Sequence, residues 1–125
     1  MLGVGYRITV YNGTGASITI DKLTIRRFKF DSNGARVFEP AEVLLASAEA
    51  VASAASFSSG YQDNTSDGWL DAEVTASITA SGSGLVTVRL DRTTDGGTTY
   101  PTVGDNIGLI YFSAAGSQSG VFATQ

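Results

Sequence analysis

A strict alternation of apolar and polar residues between Leu70 and Thr79 constrains the fold of this chain more than any other feature. Its apolar residues all occupy even positions, which is the period of two expected of a half-buried strand. A break rich in glycine and serine follows at residues 81–84, and the alternation resumes from Val86 to Leu90. Two alternating runs around a short break are typical of an antiparallel hairpin, so the sequence predicts a protein built from β-strands.

Turn signals extend the β pattern toward the N-terminus. Asn12-Gly13 is the strongest of them, and it predicts a hairpin between a strand that starts near Tyr6 and a return strand that starts at Ile18. The apolar phase of the return strand slips at Asp21-Lys22 and again at Arg26-Arg27. Because each slip turns the following side chains to the other face, we expect bulges or a bend there, as in a long strand that passes between two sheets.

Three segments are less regular. The alanine-rich residues 41–58 combine helical with alternating periodicity, and we expect a short helical turn over 41–46 followed by an extended run from 50 to 58. Leu109 to Phe112 form a compact apolar run that predicts a well-buried strand. Residues 114–125 suit either a last short strand or a flexible arm that becomes ordered on a neighbouring molecule.

Together these elements predict an all-β protein with a single domain over residues 1–125. The expected architecture is an antiparallel β-sandwich, jelly-roll-like, with about seven or eight strands and at most one short helical turn. A chain of 125 residues is near the commonest domain size and is long enough to bury a core.

Composition excludes several classes of function. The net charge of −4 argues against a nucleic-acid binder, which needs a basic face to neutralise phosphates. The absence of cysteine excludes disulfides and thiolate chemistry, and the absence of histidine removes the commonest general base. No apolar run approaches the roughly 20 residues needed to span a bilayer, and the N-terminus lacks the pattern of a signal peptide. We therefore expect no membrane partner and synthesis in a cytoplasm.

An acidic loop is the only candidate for chemistry. Asp63, Thr65 and Asp67 have the spacing of a calcium loop, but Val74 stands at the twelfth position, where such a loop has a bidentate glutamate. Asp71 and Glu73 fall on the solvent face of a strand, without an apolar setting to raise the pKa of either carboxyl group. We therefore expect no cofactor, no metal and no enzymatic activity.

Aromatic residues near loops are candidates for binding. Trp69 falls on the outward phase of its strand, and Tyr100 lies near a turn, as do Tyr11 and Tyr61. Three roles suit Trp69: cover for the edge of the core, a contact between subunits, or a platform for a sugar ring.

Three segments between residues 54 and 101 resemble those of a known group of proteins. They are, in order, SFSSGYQDNTSDG, WLDAEVTASIT and LVTVRLDRTTDGGTTYP. The last ends in Thr94–Pro101, which is similar to a motif of the form S-x-DG-x-x-Y-P, with threonine in place of serine and one more residue in the turn. In these features the chain resembles small virion proteins of tailed bacteriophages. The resemblance implies a jelly-roll-like β-sandwich carried on the virion, often as a symmetric oligomer, and it implies no catalytic residue.

Within that group, size and composition favour a head decoration (cement) protein, which binds the assembled capsid and stabilises it. The chain is short and acidic, and it lacks the heptad repeat of a fibre stalk. We expect a virion protein made in the host cytoplasm, and a homo-oligomer, with a trimer favoured, that contacts capsid or other virion proteins. A tail, baseplate or fibre-adaptor protein is the second interpretation, and a carbohydrate-binding module is the third.

The candidate contact face is basic. The strand over residues 16–30 carries half of the chain's eight Lys and Arg residues, and we expect this strand, or the chain ends, to contact the capsid. Its four cations and two aromatic residues make up the set of candidate protein contacts, namely Lys22, Arg26, Arg27, Lys29, Trp69 and Tyr100.

Overall fold

A computed structural model describes residues 1–124, which form ten β-strands and no helix. Within this part of the chain, therefore, no helix is long and apolar enough to cross a membrane. The strands are β1 (Gly5–Thr14), β2 (Ile18–Phe30), β3 (Arg36–Phe38), β4 (Val43–Val51), β5 (Ser56–Ser58), β6 (Gln62–Asp63), β7 (Asp71–Ala80), β8 (Gly84–Arg92), β9 (Asp105–Phe112) and β10 (Gly116–Ala123).

The strands form two antiparallel sheets that pack face to face. Sheet A has the order β5-β1-β8-β9, with β6 also paired to β1, and sheet B has the order β10-β7-β2-β3, with β4 also paired to β2. Alternate side chains of both sheets point inward and form one core, with Ile8, Val88, Ile20 and Ile78 among its fully buried members. The β-sandwich that the sequence predicts is confirmed, with ten strands in place of seven or eight.

The hairpin predicted around residues 81–84 is wrong. Strand β7 pairs with β2 and β10 in sheet B, whereas β8 pairs with β1 and β9 in sheet A. The chain therefore crosses from one sheet to the other at this break. Alternation specifies that each strand has one buried face, and two strands on opposite sides of the same core meet that requirement as well as two paired strands do.

The hairpin predicted at Asn12-Gly13 is also wrong, because both residues lie inside β1 and the chain crosses to sheet B after Thr14. The buried Asn12 side chain accepts hydrogen bonds from the Thr14 backbone N–H (2.9 Å) and hydroxyl (2.6 Å). Its amide nitrogen donates to the carbonyls of Ala16 (2.8 Å) and Val51 (3.0 Å). Asn12 thus satisfies the buried backbone groups of the crossing, a role that differs from the positive-φ role of a hairpin turn.

Strand β2 contains one of the two predicted bulges. Its register against β7 shifts between Ile20 and Lys22, as expected, and a second shift occurs against β4 between Leu23 and Thr24. No register shift against β7 occurs at Arg26-Arg27. The apolar phase changes there because Phe28 packs on the outer face of sheet B, with its ring centroid 5.3 Å from that of Phe38. The strand stays in sheet B, so the predicted passage between sheets is wrong.

The helical turn predicted over residues 41–46 is absent, and Val43–Val51 form strand β4 on β2. Pairing with β2 overrides the helix propensity of the alanines. The extended run predicted over 50–58 is interrupted at 52–55, before β5. Gly116–Ala123 form strand β10 on β7, so the first alternative for residues 114–125, a last short strand, is correct for this segment. Gln125 lies outside the described residues.

Candidate functional site

The long connections collect at the end of the sandwich where β1 begins and β2 ends. Backbone hydrogen bonds join them there, from Leu2 N to Leu70 O (2.9 Å) and from Leu70 N to Phe28 O (3.0 Å). We call this the loop end, because loops at one end of a sandwich are where such folds carry binding residues. It comprises the N-terminal residues 1–4, the segments 59–70 and 93–104, and the β2–β3 hairpin over 26–38.

Arg27 is held inside the loop end by Glu39. The Arg27 guanidinium lies 2.8 Å from Glu39 Oε2, and the Arg27 backbone N–H donates to Glu39 Oε1 at 2.7 Å. The side chains are only 14% and 7% exposed, and the hydrogen bonds that Arg27 donates to Glu39 raise the pKa of Arg27. Burial also raises the pKa of Tyr6, which lies beside this pair. Of the four predicted contact cations, Arg27 is therefore a structural one.

Trp69 covers the edge of the core. It is half-buried against the core residues, and the Asn64 side chain clamps its backbone by accepting from Trp69 N (2.9 Å) and donating to Trp69 O (2.7 Å). Lys29 Nζ lies 4.8 Å from the centre of the indole ring, within the range of a cation–π contact. The structure therefore brings Arg27, Lys29 and Trp69 together.

The β2–β3 hairpin over residues 26–38, which we call the cationic hairpin, combines exposed cations with aromatic rings. The Arg26 guanidinium lies 5.3 Å from the centre of the Phe38 ring, and that of Arg36 lies 4.7 Å from the centre of the Phe28 ring. Phe30 is exposed at the same hairpin. Arg36 was not among the predicted contacts, because only the pairing of β3 with β2 places it opposite Phe30 and over the Phe28 ring.

Lys22 lies apart from the other predicted cations. It occupies the outer face of sheet B, where its Nζ is 3.5 Å from Glu42 Oε1 and both side chains are largely exposed. An exposed pair of this kind contributes little to stability.

Tyr100 lies on the other sheet. It stacks on Arg7 of β1, whose guanidinium is 3.8 Å from the ring centre. Arg7 Nε donates to the buried carboxylate of Asp91 (2.9 Å), to which the Thr9 hydroxyl also donates (2.7 Å). The segment 93–104 thus folds over the outer face of sheet A and covers a charge pair.

The loop-end carboxylates close turns. Hydrogen bonds from Thr65 lower the pKa of Asp63, and hydrogen bonds from Thr99 and Thr93 lower the pKa of Asp95 to about 2. Both carboxylates are fully exposed and remain ionised at neutral pH. No three acidic side chains in residues 1–124 are grouped so that they could hold a metal ion.

The prediction that Asp71 of β7 faces solvent is wrong. Asp71 is buried at the loop end, 2.7 Å from the N-terminal amino group, and it accepts a hydrogen bond from the Thr124 hydroxyl (3.0 Å). Met1 and Thr124 therefore meet at this side chain.

One surface was missed from the sequence. On the outer face of sheet A, away from the loop end, Leu85, Leu109 and Tyr111 are 44%, 56% and 61% exposed. Leu85 pairs directly with Tyr111, and Leu109 pairs with Thr87, which pairs in turn with Tyr11. We call these five residues the apolar face.

The apolar run over residues 109–112 could have predicted this surface from the sequence. Only Ile110 and Phe112 point into the core, so the prediction of a well-buried strand is wrong for the other half of the run. Successive side chains of a strand point to opposite faces, and an apolar run in a sandwich therefore leaves every second side chain outside.

No pocket indents the surface formed by residues 1–124. The structural class of the chain is a β-sandwich, in which two antiparallel sheets pack face to face and the long connections lie at one end. Comparison with protein-family models, curated proteins and solved structures finds no match to this chain.

Proposed function

We propose that this chain is a structural protein of a tailed-bacteriophage virion, and that it decorates and stabilises the assembled head. The observation that supports this best is the apolar face. Monomeric proteins rarely expose contiguous large apolar side chains, and where they do the surface usually contacts another molecule. The resemblance of residues 54–101 to virion proteins supplies the kind of partner, a capsid surface.

The position of the apolar face suits a stabilising role. Its residues lie on β1, β8 and β9, which are hydrogen-bonded to one another along the sheet, so little conformational entropy is lost when a partner covers them. A protein that binds only the assembled lattice stabilises it by mass action, and the effect grows with each site occupied. Such a role needs a rigid surface and no chemistry.

Copy number in the virion tests the proposed location. A decoration protein repeats with the lattice, so we expect on the order of hundreds of copies per particle by quantitative gel densitometry. A count of about a dozen or fewer, as for a tail or baseplate component, would overturn the head assignment.

Binding of the purified chain to expanded capsids tests the surface. Leu109→Ser on the apolar face is expected to weaken binding by about tenfold or more, because it removes a large side chain from the contact. Leu44→Ser is the matched control, since Leu44 is an equally exposed leucine on the outer face of sheet B. Equal binding by the two variants would show that the apolar face does not contact the capsid.

A further inference from the structure

We infer that the cationic hairpin docks on a second copy of this chain, at the loop-end carboxylates Asp63 and Asp95. The hairpin carries four cationic side chains and one carboxylate, a formal charge of +3 within a chain whose net charge is −4. The positive charge is therefore concentrated in one element, and the remainder of the chain is strongly acidic. A basic element on an otherwise acidic chain favours association with an acidic surface.

Part of the hairpin charge has no partner in the chain. Arg27 is neutralised by Glu39, and Arg36 has only a long, exposed contact of 3.7 Å with Glu73. Arg26 and Lys29 have no carboxylate within ion-pair distance among residues 1–124. These two cations project from an element that also exposes apolar side chains, Phe30 and Val37.

The same chain carries the complementary surface on its other sheet. Asp63, at the end of β6, and Asp95, in the connection after β8, lie at the loop end on sheet A. Both are exposed and form no ion pair with residues 1–124. Their side chains accept hydrogen bonds from neighbouring backbone N–H groups, so both stay anionic and fixed in position. Exposed Tyr61 and Val103, in the segments 59–70 and 93–104 that carry these carboxylates, match the apolar part of the hairpin.

A second copy is the occupant that these observations favour, because this chain supplies both halves of the contact. The two halves are different surfaces, so the contact is heterologous, and it closes into a ring when the rotation between copies permits. A ring of this kind would also explain the expected homo-oligomer. The inference does not depend on the virion assignment, since it requires only other copies of the chain.

Sedimentation of the purified full chain tests the contact. We expect association that rises with protein concentration at about 50 mM salt and is largely lost at about 1 M, where the Debye length falls to about 3 Å. A chain that stays monomeric at low salt overturns the inference, and so does an oligomer that is unaffected by salt.

Matched charge variants identify the surfaces. Lys29→Glu, and separately the isosteric pair Asp63→Asn and Asp95→Asn, are each expected to weaken association by about tenfold or more. Lys22→Glu and Glu49→Lys change the net charge by the same amounts as the two tests, on other parts of β2 and β4. Both control variants are expected to leave association unchanged. Equal effects of test and control variants would show a general charge effect and overturn the docking assignment. Lys29→Gln repeats the test if Lys29→Glu does not fold, as judged by circular dichroism.

Discussion

The two halves of the outer face of sheet A differ in what covers them. Near the loop end, the segment 93–104 folds over β1 and β8, where the Asp91 carboxylate and its partner Thr9 are buried and its partner Arg7 is half-buried. Toward the other end, this face exposes Leu85 on β8 and Tyr111 on β9. This reverses the usual distribution, in which charges face water and large apolar side chains do not. The covered half is completed by the chain itself, whereas the open half is suited to be completed by another molecule.

The covered half depends on a close approach of two backbone segments. A Cβ atom at Gly104 would lie 2.7 Å from the Leu90 carbonyl oxygen and would overlap the Asp91 carboxylate. Only glycine lets the segment lie this near the strand. Tyr100 then reaches the Arg7 guanidinium and shields it from solvent.

Among changes to the outer face of sheet A, the largest expected effect is that of removing the buried Asp91 carboxylate. Asp91→Ala leaves the Arg7 guanidinium and the Thr9 hydroxyl without their acceptor, and we expect a loss of about 2–3 kcal/mol in the free energy of unfolding. Urea denaturation measures it. Asp105→Ala is the control, because Asp105 pairs with Arg92 at the exposed surface and its loss is expected to be below about 1 kcal/mol. Similar losses would show that the covered pair is no more important than an exposed one.

A smaller loss is expected where the segment meets the strand. Gly104→Ala should lower the free energy of unfolding by about 1–2 kcal/mol, because the new methyl group pushes the segment away from Leu90 and Asp91. Gly60→Ala is the comparison, since a Cβ at Gly60 meets nothing within 4 Å. That change is expected to be neutral or slightly stabilising. An unperturbed Gly104→Ala protein would contradict the close approach.

The sequence predicts the buried face of these strands but not their neighbours. The alternation through β7 and β8 correctly places Val74, Ile78 and Val88 in the core. It cannot distinguish a partner beside the strand from one across the core, because both bury the same side chains. The same ambiguity applies at Asn12-Gly13, where the residues of a hairpin turn serve a crossing between sheets.

The candidate contacts show a second limit. A run of basic residues on β2 is visible in the sequence, but the carboxylates that neutralise some of them come from distant positions. Glu39 forms an ion pair with Arg27, and Glu42 forms one with Lys22. Arg26 and Lys29 form no ion pair within residues 1–124. The apolar face could not be recognised either, since exposure of Leu85 and Leu109 depends on β8 and β9 lying with one side outward.

The dependence of stability on pH tests the turn at Asp95, which supports the segment 93–104 over the covered half. The pKa of Asp95 is lowered to about 2 because the Thr99 backbone N–H and the Thr93 hydroxyl donate to its carboxylate. A carboxyl whose pKa is lower in the folded state contributes stability above its unfolded pKa of about 4, and that contribution is lost as the pH falls toward 2. We expect the difference in melting temperature between wild type and Asp95→Asn to shrink over this range. A difference that is independent of pH would contradict the assignment.

The smallest effect on stability is expected on the open half. Tyr111→Ser removes a largely exposed side chain that lies opposite Leu85 on the neighbouring strand, so we expect a loss of about 0.5 kcal/mol in the free energy of unfolding, measured by urea denaturation. Phe112→Ala, one residue further along β9, empties a fully buried site and should cost about 3–5 kcal/mol. A loss above about 1.5 kcal/mol for Tyr111→Ser would mean that the ring supports the fold. A near-neutral result would show that the Tyr111 ring is not needed for the stability of the sandwich, as we expect of a side chain that serves the proposed contact with a capsid.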